Sequence, residues 1–405
     1  MSADRLRRQI AYARRNSLYY RERLRDAKTP PLLSRAELEE HFERLLCVPR
    51  ERWADVSRTS GSSGRPLHIP VTLREMRRLL GSVAAGVAGM GVRAGDRVCI
   101  LLPMDDMMNP TVMLEQVFRD RLRCLVIRVG ARPPEQQLDR VLALRPNVVV
   151  GAPSPFLKLG MIAQQNGVDP RALGIERAVL MGQPLYGEGW RPNVLKERLD
   201  ALWGAELFSI YGSTELYAGL SECSAHRGHH VLTDDMLVEI VDPESGQVLE
   251  EGVGEVVVTT LSREALPLIR YRTGDLSWLE RESCACGLDS PRVMAVLGRT
   301  DEMLKIKGAK IYPQQVEDLV AAVEGVEGHV LEVYVDAHGQ ELLRLRVAVR
   351  GDGDAIVAQI RERVRAYTRV TPEVEVAHMD EVLRRWMAHG GRKPRKFHDL
   401  RGARG

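Results

Sequence analysis

The chain has 405 residues, 44% of them hydrophobic, so it is long enough to bury a large core in two or three domains, and disorder is excluded as its main state. Its 58 Lys and Arg residues nearly balance 55 Asp and Glu residues, and the formal net charge of +3 gives no global attraction to nucleic acid or anionic membranes. No apolar run is as long as a membrane span and six cysteines are too few for a disulfide framework, so we expect a cytoplasmic protein.

Two amphipathic helices are predicted near the start, over residues 3–26 and 34–46, the second with Ser34 as N-cap. A stretch rich in hydroxyl groups and glycine follows at residues 57–72, SRTSGSSGRPLHIPVT, and its end has the alternating pattern of a strand. Taken alone, it is either an ordinary surface loop or a phosphate cradle, in which glycines let backbone N–H groups converge on an anion.

The middle of the chain alternates between strand and helix patterns. From residue 96 to residue 215, apolar strands such as DRVCILLP and NVVVGAP are separated by helical segments, which predicts βαβ units around a parallel sheet. Short strands and turns after residue 228 indicate an antiparallel subdomain, and the segment from residue 302 reads as helix, strand, strand, helix, strand. The predicted fold class is α/β, with a large N-terminal α/β domain, an antiparallel subdomain and a small C-terminal α+β domain.

Three further motifs reveal a family resemblance: YGSTE at 211–215, YRTGD at 271–275 and GRTDEMLKIKGAKIYPQQVE at 298–317. In order and spacing, these motifs and the stretch at 57–72 resemble the adenylate-forming superfamily of acyl-CoA and aryl-CoA synthetases and carrier-protein-loading adenylation domains. The segments EALPLIRYRTGDL and CACG are most similar to the phenylacetate-CoA ligase branch. The resemblance covers about residues 5 to 400 and favours the phosphate cradle.

The resemblance implies a two-step reaction. A carboxylate attacks the α-phosphate of ATP to give an acyl-adenylate and pyrophosphate, and a thiol then displaces AMP; both steps need positioning and charge neutralisation. The implied domains are 1–298, which binds ATP and the acid, a hinge at 299–301 containing Asp301, and a mobile small domain at 302–405. The implied cofactors are ATP, Mg²⁺ and, as thiol acceptor, CoA or the phosphopantetheine of an acyl carrier protein.

Residue roles in ATP binding also follow from the resemblance. The phosphate loop is assigned Thr59, Ser60, Gly61, Ser62, Ser63, Gly64 and Arg65, the last of which stands where the family often has Lys. The adenine and ribose contacts are assigned Gly182, Gln183, Pro184, Tyr211, Gly212 and Asp275, with Tyr211 stacking on adenine and Asp275 accepting from the ribose hydroxyls.

The catalytic assignments are Thr214 at the α-phosphate, Glu215 as ligand of Mg²⁺, and Lys393. Arg299 is assigned to the ribose or a phosphate and Gly308 to the approach of the thiol. Lys393 aligns with the family's terminal lysine, although the usual preceding Gly is Arg392, so Lys396 stays open as the alternative. Without the resemblance, the basic terminus reads as a solvated tail.

Cysteine and histidine form a separate group in the sequence. Cys223, His226, His229, His230, Cys284 and Cys286 are ligand types that suit tetrahedral Zn²⁺, although C-x-C is less diagnostic than C-x-x-C, and reduced surface thiols are the alternative. The phenylacetate-CoA ligase branch has Cys, His, Cys and Cys at similar positions. That resemblance favours Cys223, His230, Cys284 and Cys286 as ligands of a structural zinc ion.

The expected substrate is a small aromatic carboxylic acid bound by residues 104–113, 180–187 and 217–219. The segment MDDMMNP is polar and Met-rich where the branch is more aromatic and Gly-rich, which disfavours phenylacetate itself. Tyr217, Asp105 and Asp106 suit an amino- or hydroxy-substituted ring, or else are packing and turn residues. Two other functions stay open: activation of another small oxyanion such as nitrite, and a nucleotide-binding regulator with a decayed site. No nucleic acid or membrane partner is expected, and an oligomer is compatible with the sequence.

Overall fold

The computed structural model describes residues 2–25, 29–59, 66–104, 109–306, 309–336, 339–388 and 395–401. These divide into two compact units, residues 1–295 and 296–405. Neither unit has a described helix that is long and apolar enough to cross a membrane.

The first unit contains nine α-helices among its described residues. Their bounds are α1 Ser2–Asn16, α2 Leu18–Arg23, α3 Arg35–Glu40, α4 Phe42–Leu45, α5 Leu73–Gly89, α6 Asn109–Gln116, α7 Pro134–Leu144, α8 Pro153–Gln165 and α9 Val194–Trp203. Both predicted N-terminal helices are present, each in two pieces. The first is divided at Ser17, whose hydroxyl accepts a hydrogen bond from the Tyr20 N–H and caps α2.

The strands of the first unit described by the structure form a large mixed sheet, an antiparallel sheet and a hairpin. Their bounds are β1 Trp53–Arg58, β2 His68–Thr72, β3 Arg97–Ile100, β4 Leu125–Arg128, β5 Val148–Gly151, β6 Arg177–Met181, β7 Glu206–Ser213, β8 Ala218–Ser221, β9 His229–His230, β10 Met236–Val241, β11 Gly254–Thr260, β12 Tyr271–Ser277, β13 Leu279–Glu280 and β14 Arg292–Val293.

The large sheet has the order β13-β14-β9-β8-β7-β6-β5-β3-β4. Strands β4, β3, β5, β6 and β7 run parallel, and the pairing becomes antiparallel from β7 to β8. Successive residues Val148, Val149 and Val150 of β5 are all fully buried, so both faces of the sheet are covered at this strand, as is usual for parallel strands. The motif YGSTE therefore lies where the parallel part of the sheet ends. Strands β10, β11 and β12 pair antiparallel, as the sequence predicts for residues after 228.

The second unit is an α+β fold. Its elements are β15 Gly298–Arg299, β16 Leu304–Ile306, β17 Ala309–Ile311, α10 Pro313–Ala321, β18 Val326–Val335, β19 Glu341–Val349, α11 Gly353–Thr368, β20 Glu373–Val376, α12 Met379–Met387 and β21 Phe397–Asp399. Its main sheet has the order β20-β19-β18-β21. The predicted helix, strand, strand, helix, strand corresponds to α10 through β20.

The sequence prediction missed the hairpin β16–β17, helix α12 and strand β21. The three strands have three residues each, too few for a periodic pattern to stand out, whereas helix α12 has nine residues, as many as the predicted α10, and was overlooked. Long-range pairing supports β21, which lies parallel to β18 with Phe397 opposite Leu331. The predicted fold class is confirmed, whereas the hinge at 299–301 stays a prediction.

Candidate active site

The hairpin β1–β2 carries the phosphate-loop stretch. Arg58 pairs with His68, and beyond that pair the Thr59 N–H donates to the Leu67 carbonyl, at 2.9 Å. The Leu67 N–H in turn donates to the Thr59 hydroxyl, at 2.9 Å. Both bonds close the base of the loop and hold Thr59 in place. The other assigned loop residues lie outside the described residues: Ser60, Gly61, Ser62, Ser63, Gly64 and Arg65.

Strand β7 ends in a tight hairpin that carries Thr214 and Glu215. Gly212 pairs with Gly219 of β8, and a Cβ at Gly212 would lie 2.6 Å from the Ala218 carbonyl oxygen, so only glycine fits this close approach. The Tyr217 N–H donates to the Thr214 carbonyl, at 3.2 Å, which closes the turn. Glu215 is thus presented on a turn between two paired strands.

Tyr211 and Asp275 meet although they lie on different sheets. The Tyr211 hydroxyl donates to an Asp275 carboxylate oxygen, at 2.8 Å. Asp275 is held on β12, where its N–H donates to the Thr273 hydroxyl, at 3.1 Å. The residues assigned to adenine and to ribose therefore occupy one place in the first unit.

Arg35 contacts two of the assigned residues, Thr59 and Glu215, and was not identified from the sequence. Its guanidinium donates to Glu215 Oε1 and, at 3.1 Å, to the Thr59 hydroxyl. It also donates to Glu39, one helical turn along α3, at 2.6 Å. Arg35 thereby joins the base of the phosphate-loop stretch to the carboxylate assigned to Mg²⁺.

Gly182, Gln183 and Pro184 form a turn after β6. Gly182 has φ +88°, a left-handed conformation that glycine adopts without strain. The Gln183 side chain accepts from the Ser154 N–H at the start of α8, at 2.9 Å, and the Pro184 carbonyl accepts from the Asn193 side chain, at 2.9 Å. The Gln183 side chain thus has a structural role. The predicted contact with adenine would therefore be made by backbone atoms of this turn.

Tyr217 differs from its expected place in an acid pocket. It is 6% exposed, packs in the main hydrophobic core and donates its hydroxyl to Asp55 of β1, at 3.0 Å. These contacts fit the packing alternative for Tyr217, and its expected contact with the acid stays a prediction. Asp105 and Asp106 lie outside the described residues.

Four side chains from two distant segments form a compact cluster: Cys223, His230, Cys284 and Cys286. Their ligand atoms all lie within 4.8 Å of one another. The Cys223 and Cys284 sulfurs are 3.7 Å apart, and the Cys286 sulfur is 3.4 Å from His230 Nε2. His230 Nδ1 lies 2.8 Å from the Ser290 hydroxyl, which orients the ring toward the thiols.

The neighbouring histidines point elsewhere. His229 Nε2 lies 2.8 Å from the Ser209 hydroxyl on β7 and its Nδ1 lies 3.1 Å from the Val293 carbonyl. His226 lies 3.1 Å from Glu206. On β9, His229 thus contacts β7, and the next residue, His230, contacts the thiol cluster. Of the three histidines, only His230 belongs to that cluster.

The second unit contains the remaining assigned residues. Arg299 donates two hydrogen bonds to Asp301, at 2.9 and 3.2 Å. Lys396 Nζ lies 5.5 Å from the centre of the Trp386 ring, a cation–π contact. Burial raises the pKa of Glu317 to about 7, and the positive charge of Lys396 partly opposes that rise. Gly308 and Lys393 fall outside the described residues.

Comparison with known proteins agrees with the fold. The family model described as AMP-binding enzyme matches residues 24–262. The phenylacetate-coenzyme A ligase of Thermus thermophilus is 33% identical over 361 residues, covering 81% of this chain and 76% of that protein. The Aromatoleum evansii enzyme of the same name is 27% identical, with 87% and 81% covered.

A solved structure of 2-hydroxyisobutyryl-CoA ligase, with 2-HIB-AMP in the postadenylation state, superposes with a TM-score of 0.85 at 22% identity. It covers 98% of this chain and 88% of that chain, which shows a shared fold. The chain belongs to the AMP-binding enzymes, in the phenylacetate-CoA ligase branch of the adenylate-forming superfamily, and is an AMP-forming acid–CoA ligase.

Proposed function

We propose that this ligase activates a substituted aromatic carboxylic acid as its acyl-adenylate and transfers the acyl group to CoA. The hydrogen bond between Tyr211 and Asp275 carries the proposal, because it joins a ring that can stack on adenine to a carboxylate that can accept from ribose hydroxyls. The naming of its relatives as phenylacetate-coenzyme A ligases supports an aromatic acid. The polar, Met-rich segment at 104–110 supports a substituted ring.

The roles of the chain's own residues follow from this placement. Thr59 and the rest of the phosphate loop would bind the β- and γ-phosphates, and Thr214 would contact the α-phosphate. Glu215 would hold Mg²⁺, a fit supported by its carboxylate, a hard oxygen ligand already paired with the cation Arg35. When bound, Mg²⁺ would neutralise phosphate charge during adenylation.

Substrate choice can be tested by pyrophosphate exchange with phenylacetate, benzoate, amino- and hydroxybenzoates, 2-hydroxyisobutyrate and nitrite. We expect the highest kcat/KM with a substituted aromatic acid, followed by its CoA thioester in mass spectrometry when CoA is added. A carrier protein bearing phosphopantetheine is the competing acceptor in a parallel reaction. Exchange with 2-hydroxyisobutyrate or nitrite alone would contradict the proposed acid.

We also propose that Cys223, His230, Cys284 and Cys286 bind a structural zinc ion. A tetrahedral site with Zn–S bonds of about 2.3 Å has sulfur–sulfur edges of about 3.8 Å. The distance between the Cys223 and Cys284 sulfurs, 3.7 Å, fits that edge, and Ser290 supplies the second partner that metal-binding histidines usually have. Bound there, zinc would join the segment after β8 to the segment before β14.

Zinc analysis of protein purified without added metal should give about one ion per chain. Cys286→Ser should lose most of the zinc and several degrees of melting temperature, because a closed four-ligand site becomes incomplete. Cys47→Ser is the matched control, since Cys47 is also half-buried but lies outside the cluster. Absence of zinc from the wild type, or equal effects of both variants, would contradict the site.

A cytoplasmic location is proposed on chemical grounds. All six cysteines are described and none is in a disulfide, which fits a reducing compartment. ATP and CoA are also metabolites of the cell interior.

A further inference from the structure

Arg263 is a buried arginine to which neither the motifs nor the family comparison gives a role. Its side chain is 2% exposed and lies in the segment between β11 and β12. Its Nε donates to Glu75 of α5, at 2.8 Å, and the Glu75 side chain is 1% exposed. Burying a charged pair carries a large desolvation cost, so stability alone is a weak reason for this pair.

The rest of the guanidinium binds backbone carbonyls next to the proposed metal carboxylate. Nη1 donates to the carbonyls of Leu216, at 3.2 Å, and Glu215, at 3.4 Å. Nη2 donates to the carbonyl of Pro70 on β2, at 3.0 Å. A single rigid fork thus joins the Glu215 turn to the hairpin that bears the phosphate-loop stretch.

Glu75 keeps the fork in one orientation. Burial alone would raise the pKa of Glu75, but the charge of Arg263 and the N–H groups of Thr72 and Glu264 hold that pKa below its usual value. Glu75 Oε1 also accepts from the Glu264 and Ala265 N–H groups, at 2.7 and 3.2 Å. Glu75 is therefore an anchor for Arg263 that does not itself contact the Glu215 turn.

A second connection runs between the same two segments. Tyr217, two residues after Glu215, has φ +53° and donates its hydroxyl to Asp55 of β1, at 3.0 Å. The Arg263 guanidinium also lies 5.6 Å from the centre of the Tyr217 ring. The Glu215 turn is thus tied to β1 through Tyr217 and to β2 through Arg263.

We propose that Arg263 is a positioning residue that fixes Glu215 relative to the phosphate-loop hairpin, and so sets the affinity of the site for Mg²⁺ together with ATP. The inference rests on the proposed role of Glu215. An apolar pair of similar volume in place of Arg263 and Glu75 would fill the same space. It would, however, leave the carbonyls of Glu215, Leu216 and Pro70 without the hydrogen bonds that Arg263 donates.

The test is ATP binding by titration calorimetry at a series of Mg²⁺ concentrations, with unfolding measured in parallel on nucleotide-free protein. Arg263→Lys keeps the charge next to Glu75 but replaces the fork with one ammonium group. We expect it to raise the Mg²⁺ concentration for half-maximal ATP binding about 10-fold, as for other residues that orient metal ligands. In pyrophosphate exchange, the KM for MgATP should rise more than kcat falls.

Glu75→Gln is the matched control, because it removes the negative charge of the pair while its amide oxygen can still accept from Arg263 Nε, which leaves the fork and its carbonyl contacts in place. It should lower stability without changing the Mg²⁺ dependence. An unchanged Mg²⁺ dependence in Arg263→Lys, or shifts in both variants that follow their loss of stability, would overturn the proposal.

The double variant Glu75→Gln with Arg263→Gln covers the case in which Arg263→Lys does not fold, because it removes the fork together with its counter-ion and leaves no unpaired buried charge. It should also raise the Mg²⁺ requirement, and an unchanged requirement then overturns the proposal. Wild-type protein that binds ATP independently of Mg²⁺ would refute the metal role of Glu215 and this inference with it. A wrong metal role for Glu215 would thus be seen in the wild-type protein, whereas a wrong role for Arg263 would be seen only in the variants.

Discussion

Glu215→Gln should slow acyl-adenylate formation by about 10²- to 10³-fold, the scale of losing one charge-stabilising group in a transition state. The substitution removes a metal-binding charge at nearly constant volume, and the new amide oxygen can still accept from Arg35. The protein should therefore remain folded. Pyrophosphate exchange over a range of Mg²⁺ concentrations, together with circular dichroism, measures both expectations.

Glu39→Gln is a closely matched control for this experiment. Glu39 accepts a hydrogen bond from the same Arg35, at 2.6 Å, but has no proposed metal role. Its substitution should leave exchange nearly unchanged. Full exchange in folded Glu215→Gln, or an equal loss in Glu39→Gln, would show that the effect belongs to the ion-pair network and not to metal binding.

Lys393→Ala should separate the two half-reactions. The resemblance assigns Lys393 to adenylation alone, where its charge would stabilise the attack of carboxylate on the α-phosphate, a contribution of about 10²- to 10³-fold by analogy with an oxyanion donor. Thiol transfer would not use it. The variant should fail in pyrophosphate exchange yet convert a synthetic acyl-adenylate to the CoA thioester at a rate near that of the wild type.

Lys396→Ala controls for the general charge of the basic terminus. Lys396 packs over Trp386, and its carbonyl accepts from the Leu331 N–H, at 2.8 Å, so it has a structural role in the second unit. Its loss should reduce stability and leave both half-reactions active. Loss of adenylation in Lys396→Ala alone, or of both half-reactions in Lys393→Ala, would mean that the lysine or the mechanism is wrongly assigned.

The fold class could be predicted because strand and helix periods are local signals. The apolar run NVVVGAP, for example, becomes β5, and Ser34 caps α3 as expected. The short strand β21 was missed, because its pairing with the distant β18 and not a local periodicity stabilises it.

The site was predictable only where its residues lie within motifs. Tyr211, Glu215 and Asp275 came from motif resemblance, and the structure brings Tyr211 and Asp275 into contact. Arg35 lies 180 residues from Glu215, and Arg263 lies 188 residues from Glu75. Neither pairing leaves a local pattern, so arginines that join distant segments emerged only from the folded chain.

The pairing of β21 with β18 constrains how far the proposed catalytic lysine can search. Lys393 is three residues before Lys396, whose carbonyl is bonded to Leu331, so its Cα stays within about 10 Å of that anchor even with the chain fully extended. Local motion of the chain alone can therefore move the ammonium group of Lys393 only within a small volume around β21.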